Sequence, residues 1–153
     1  MAPPAKHKTP PVLDPVLDFM RLLWSIEHGL QRVSKRMEAE LGITGPQRLV
    51  LRVVGRFPGL SAGDLAHIVR LHPSTITGIL QRLVARGYLA RERDPGDGRR
   101  ARLHLKQRAR AHTRRSRGPV EMVVTDVLRR SGPANVRAAR RVLSEIAREL
   151  NVE

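Results

Sequence analysis

Cysteine is absent from the sequence. That absence excludes disulfides, thiolate zinc fingers and a cysteine redox switch together. Aromatic residues make up 3%, so any core is built mainly from Leu, Val, Ile and Ala. No apolar run approaches the ~20 residues that span a bilayer. The opening MAPPAKHKTPP (1–11) has two lysines and no apolar stretch behind them, so it reads as a flexible arm rather than a secretory signal. A soluble, cytoplasmic protein without a membrane partner is the expectation. Acids are also scarce. Asp and Glu number 14 against 29 Lys and Arg, a formal net charge of +15. An excess of that size favours a polyanionic partner, although a GC-rich genome also inflates arginine. We find no P-loop, no metal-ligand cluster and no nucleophile set in a motif. No enzyme, cofactor or metal is expected, and Asp64 with His67 is only an i, i+3 pair.

What is present is helical periodicity. The chain of 153 residues suffices for one domain with a proper core. Val16, Phe19, Met20, Leu23, Ile26, Leu30, Val33, Met37 and Leu41 form a stripe over about seven helical turns, and Gly42 is placed to stop it. So long and even a stripe calls for a second long helix, one from another subunit included. Thr44 and Gln47 have capping-box spacing before a helix with Leu49, Val50, Val53, Val54 and Phe57 inward, ended by Pro58-Gly59. Ser61 and Asp64 repeat that logic before Leu65, Ile68 and Val69. Pro73 suits a first helical position, and Ile76, Leu80, Leu83 and Val84 mark the inner side of a helix ending at Gly87. The spacing is that of a helix-turn-helix.

Residues 88–93 and 100–105 alternate small or apolar with charged side chains about the sequence DPGDG, which predicts a β-hairpin. From Gln107 the texture is helical and basic. Gly118-Pro119 bends or interrupts that helix, and Ser131-Gly132-Pro133 precedes a last amphipathic one bearing Val136, Ala139, Val142, Leu143, Ile146 and Leu150. Residues 91–117 hold eleven Lys or Arg and three acids, a net +8. The expected fold is mainly α with a small β-hairpin wing, a winged helix-turn-helix between long terminal helices.

Ser74, Thr75, Thr77 and Gly78 open the second helix of the pair with small and hydroxylic residues, as a helix entering the major groove requires. Gln81 and Arg82 lie one turn on, and His72 and Ser61 stand near enough to join the candidate DNA contacts. Arg99 and Arg100 at the hairpin tip suit a narrow minor groove. Asp94 and Asp97 beside them read as turn formers that also orient the arginines.

The segment LSAGDLAHIVRLHPSTITGILQRLVARGYLARERDPGDGRRARLHL resembles the core of MarR-family transcriptional regulators. The likeness rests on the S-T-I-T helix start, the R-L-x-x-R-G-Y close and the D-P-x-D-x-R wing. Leu105-Lys106 and Ala109 depart from the family's usual L-T and glycine. The resemblance implies a homodimer joined by a helix in 12–43 and helices in 107–153, flanking a DNA-binding domain at 44–106. It also implies DNA contact at Ser74, Thr75, Thr77, Gly78, Gln81, Arg99 and Arg100, and repression of a pseudo-palindromic operator relieved by an aromatic or phenolic effector. Trp24 and His28, at i and i+4, are the candidate effector contacts; the other reading buries Trp24 in the dimer interface. The basic run at 106–117 keeps open a weakly specific architectural DNA coater.

Overall fold

The computed structural model of the protein describes residues 12–97, 100–114 and 118–150. The expected arm at 1–11 lies outside them. The chain divides into two compact units, one running to Gln47 and the other starting at Arg48.

In the first unit, α1 spans Pro15–Leu41. Asp14 caps it, its carboxylate accepting from the amides of Val16 at 2.9 Å and Leu17 at 3.1 Å. Gly42 closes it at φ 71°, a left-handed conformation that costs glycine little. Of the apolar stripe read from the sequence only Met37 is buried, while Leu23 and Val33 are half-buried and the rest exposed. The expected capping box is present: Gln47 Oε1 accepts from Thr44 N at 3.1 Å, and Thr44 Oγ1 accepts from Gln47 N at 3.4 Å.

These bonds start α2, Gly45–Arg56, which runs on into the second unit. There follow α3 (Ala62–Val69), α4 (Pro73–Ala85), β1 (Leu89–Arg93), β2 (Ala101–Leu105), α5 (Gln107–Arg114) and α6 (Pro119–Leu150). The two strands are antiparallel in a register that pairs Leu89 with Leu105 and Arg91 with Leu103. Gly59 N donates to Leu103 O, and Leu103 N to Leu60 O, so the stretch before α3 is tied along the outer edge of β2. The core gathers Val50, Leu51 and Val54 of α2, Leu65 of α3, and Ile76, Ile79, Leu80 and Leu83 of α4. Tyr88, Leu89, Leu103 and Ala109 complete it. Leu49 and Phe57, expected inward, are about half exposed, whereas Leu51 is fully buried. At about 100° per residue, Leu49 points away from the side that Gln47, Leu51 and Val54 share. Ile68 and Val84, also expected inward, are exposed.

Gly132 breaks α6 at φ 74° and ψ 155° with Pro133 behind it, at the interruption predicted there. Pro119 opens the helix, consistent with the expected interruption at Gly118-Pro119. No residue of α6 is buried.

A polar knot ties α2 to the start of α6. Arg48 donates to His112 O at 2.6 Å and to Glu121 Oε2 at 3.2 Å, and Arg52 Nε lies 3.2 Å from Glu121 Oε1. Gly118 N donates to the same carboxylate. A Cβ on Gly118 would stand 2.7 Å from Arg48 Nε, so a larger residue would push the guanidinium aside. Burial acts to raise the Glu121 pKa, but the bonds from Gly118 and Arg48 outweigh it and hold the carboxyl below its ordinary value.

His112 packs edge-on against Tyr88, ring centroids 5.3 Å apart. Burial lowers its pKa, and the charges of Arg48, Arg108 and Arg86 add to the shift. The fold therefore selects the neutral ring. The unfolded chain takes up this proton near pH ~6.5 and the folded protein only at lower pH, so the stabilisation is complete above ~6.5 and lost as pH falls below it. The urea midpoint should decline from about pH 7.5 to 5.5, and His112→Gln should flatten the decline; an equal slope in the variant would place the titration elsewhere.

Candidate nucleic-acid interface

The outer side of α4 follows from its inner side. Ile76, Ile79, Leu80 and Leu83 face the core, so Ser74, Thr75, Thr77, Gln81 and Arg82 are left exposed. His72 caps the helix: its Nδ1 lies 3.3 Å from Ser74 N and 2.6 Å from Ser74 Oγ. Accepting from the backbone amide leaves the ring proton of a neutral imidazole on Nε2. Thr77 Oγ1 donates to Pro73 O at 2.9 Å, the back-bond that threonine makes inside a helix. Of the three hydroxyls at this helix start, Ser74 therefore meets the cap and Thr77 the helix backbone.

Gly78 is half-buried rather than open, since Arg82 folds back along the helix. Arg82 Nε donates to Gly78 O at 3.1 Å, and a Cβ on Gly78 would meet the guanidinium at 3.4 Å. Ser61 serves the neighbouring helix. Its hydroxyl accepts from Asp64 N at 3.1 Å and its amide donates to Asp64 Oδ2 at 3.4 Å, completing the predicted box, and the hydroxyl also donates to Oδ2 at 2.6 Å. The side-chain bond from Ser61, then the one from its backbone, lowers the Asp64 pKa. α3 ends on Arg70 in the left-handed region at φ 52°, and three residues separate it from α4.

The hairpin tip is organised by Asp94. One oxygen accepts from Gly96 N at 2.8 Å, the turn-forming bond expected of it. Asp94 also takes a two-point grip from Arg102, at 2.9 and 3.1 Å. Arg102 is a residue the sequence reading passed over. Cross-strand register is the signal that would have found it, because Asp94 follows the Arg93–Ala101 pair and so stands opposite Arg100, with Arg102 as its diagonal neighbour on the same face. The Arg102 bond, then that from Gly96, holds the Asp94 carboxyl below its ordinary value. Arg100 stands exposed, its Nε 3.9 Å from Asp97 Oδ2. Arg99 lies outside the described residues, as do 115–117 of the basic run.

In the first unit Trp24 is 61% exposed and His28 is exposed as well, one turn apart on α1. Among the described residues no three His, Asp or Glu side chains come together as metal ligands, and no helix is long and apolar enough to cross a membrane.

The profile of the MarR family matches residues 41–100, from the end of α1 to the hairpin tip. The HTH-type transcriptional repressor Rv2887 of Mycobacterium tuberculosis is 30% identical over 106 residues, which cover 69% of this chain and 76% of that protein. The chain belongs to the MarR family. It is a MarR-family transcriptional regulator, a winged helix-turn-helix with long helices on either side. Two crystal structures illustrate the MarR fold. S. aureus MepR bound to DNA superposes with a TM-score of 0.72 at 16% identity, over 87% of this chain and 98% of that one. PcaV of Streptomyces coelicolor, crystallised with its natural ligand, gives 0.66 at 26% identity, over 91% of this chain and 97% of that one.

If Asp94 organises the tip, Asp94→Ala should speed amide exchange at Gly96 while leaving the urea midpoint in place. Exchange at Gly96 as slow as in the parent protein would remove Asp94 from that role.

Proposed function

We propose that this MarR-family protein is a homodimeric repressor of a pseudo-palindromic operator, with one α4 in each of two successive major grooves. The observation that carries this reading is the exposed polar side of α4, set in one unit with an arginine-bearing hairpin tip. Thr75 and Gln81, which make no bond inside the helix among the described side-chain contacts, are the base-edge readers. Ser74, His72 and the first amides of α4 hold phosphate. Thr77, Gly78 and Arg82 shape the surface that meets the groove, and Arg82 swings off Gly78 O to reach the duplex. Ser61 contributes through the α3 amides it aligns. Arg99 and Arg100 enter the minor groove.

In this reading residues 12–43 and 107–153 form the dimer interface and 44–106 the DNA-binding domain. The named relative, a repressor, supports the direction of regulation, and the DNA complex of MepR supports the partner. PcaV with its natural ligand supports an effector for this chain, an aromatic or phenolic acid held at Trp24 and His28 once a second subunit encloses them. A ligand that binds better to a spacing unsuited to ~34 Å half-sites lowers DNA affinity by linkage.

Selection of bound fragments from the source genome, followed by competition with random duplex, tests the reading. A regulator prefers its site by about 10³ or more. A ratio near one would instead support the architectural coater that the basic run 106–117 favours. On the selected site, log affinity should fall steeply with log salt, and Arg100→Ala should reduce the slope by about one. An unchanged slope would take Arg100 off the DNA.

A further inference from the structure

The second unit contains a crevice of about 560 Å3 between the C-terminal end of α2, the foot of β2 and α5. Arg52, Arg56 and Arg110 line it together with His104 and Thr113, and among the described residues no carboxylate does. Among the described residues neither α4 nor the hairpin tip contributes to its walls. Its floor is set by a close approach. Gly55 of α2 comes so near β2 that a Cβ there would stand 2.9 Å from Leu105 Cδ1.

The three guanidiniums differ in what already holds them. Arg52 is braced, its Nε 3.2 Å from Glu121 Oε1 and its NH1 donating to Thr113 O at 3.4 Å. Arg56 lies over the Phe57 ring, 5.6 Å from its centre. Among the described residues neither Arg56 nor Arg110 faces a carboxylate. Two cations without a counter-ion, a third held in place and an imidazole are thus gathered in a recess inside one chain. A guanidinium offers a planar fork of donors that matches phosphate and carboxylate oxygens. The volume falls in the range of small-molecule sites and exceeds what a bare inorganic ion fills.

We propose that this crevice binds a small organic dianion of the phosphate-monoester type, with Arg56 and Arg110 gripping the charged end and the braced Arg52 and His104 closing the far wall. The site requires no second subunit and is separate from Trp24 and His28. Its ligand is a free small molecule, not a stretch of duplex backbone, because the elements that line it exclude the face offered to DNA.

Titration calorimetry of the full chain with phenyl phosphate at constant ionic strength tests this, with phenol as the uncharged control. We expect one saturable site per chain for phenyl phosphate and none for phenol. Arg56→Gln with Arg110→Gln should weaken binding at least tenfold, and Arg110→Gln alone at least threefold should the double variant not fold. The same charge removed elsewhere, by Arg137→Gln with Arg141→Gln, should change it less than twofold. Absence of saturation, or equal losses in the two pairs, would reduce the effect to generic anion binding by a polycation and overturn the proposal. A second arm separates the source of the anion. The salt slope of DNA binding should be the same for Arg56→Gln with Arg110→Gln as for the parent protein. A slope lowered by about two would assign both arginines to duplex phosphates and overturn the small-molecule site. Failure of DNA binding altogether would leave the calorimetric arm readable.

Discussion

Along α1 and α6 runs more apolar surface than the single chain covers. On α1, Val16, Phe19, Met20, Trp24, Ile26 and Leu30 are exposed; on α6, so are Val123, Val124, Val127, Leu128, Val142 and Leu143. Full burial of one such side chain is worth about 1.5–3 kcal/mol, so even a modest share of them sealed against a second copy amounts to many kcal/mol. The opposing term is the repulsion of two chains of net +15. That charge sits largely on exposed side chains and is screened over about 8–10 Å at ordinary ionic strength. Burial on this scale outweighs a repulsion so screened, which supports the proposed pairing of subunits on which a two-headed reader of DNA depends.

Four of the 14 acids of this chain are committed to structure. Asp14 caps α1, Asp64 completes the box that starts α3, Asp94 shapes the hairpin turn, and Glu121 ties Gly118 to Arg48 and Arg52. Each is held by amides or a guanidinium, so it adds little negative field to the surface offered to a polyanion. A wing with two aspartates is therefore compatible with DNA, because Asp94 is neutralised by Arg102 within its own turn. No carboxylate stands on α4, so the phosphate contacts proposed at its hydroxyl start meet no like charge there.

Local features of the fold were legible in the sequence because their causes are local. The boxes at Thr44–Gln47 and Ser61–Asp64, the stop at Gly42, the hairpin about DPGDG and the break at Gly132 each depend on residues within a few positions of one another. Contacts closed over long separations were not legible. Nothing in periodicity announces that Arg48 meets Glu121, or that Gly59 and Leu60 edge Leu103. Apolar pattern also marks a stripe without telling which part of it a core covers, which is why Leu49, Phe57, Ile68 and Val84 stand exposed in the single chain. At the candidate interface the residue types were readable but their internal bonds were not: Thr77 turning to Pro73 and Arg82 lying over Gly78 emerge only once the helix is built.

Because the chain has no cysteine, Ala85→Cys gives a single attachment point for a spin label at the exposed end of α4, one turn beyond Gln81 and off the residues proposed to touch DNA. Pulsed dipolar spectroscopy of that labelled protein on its selected DNA reads the separation of the two reading helices directly. Two α4 helices in successive major grooves give one narrow distribution near ~34 Å, the repeat of one duplex turn. Absence of dipolar modulation, meaning one label per particle, would contradict that arrangement.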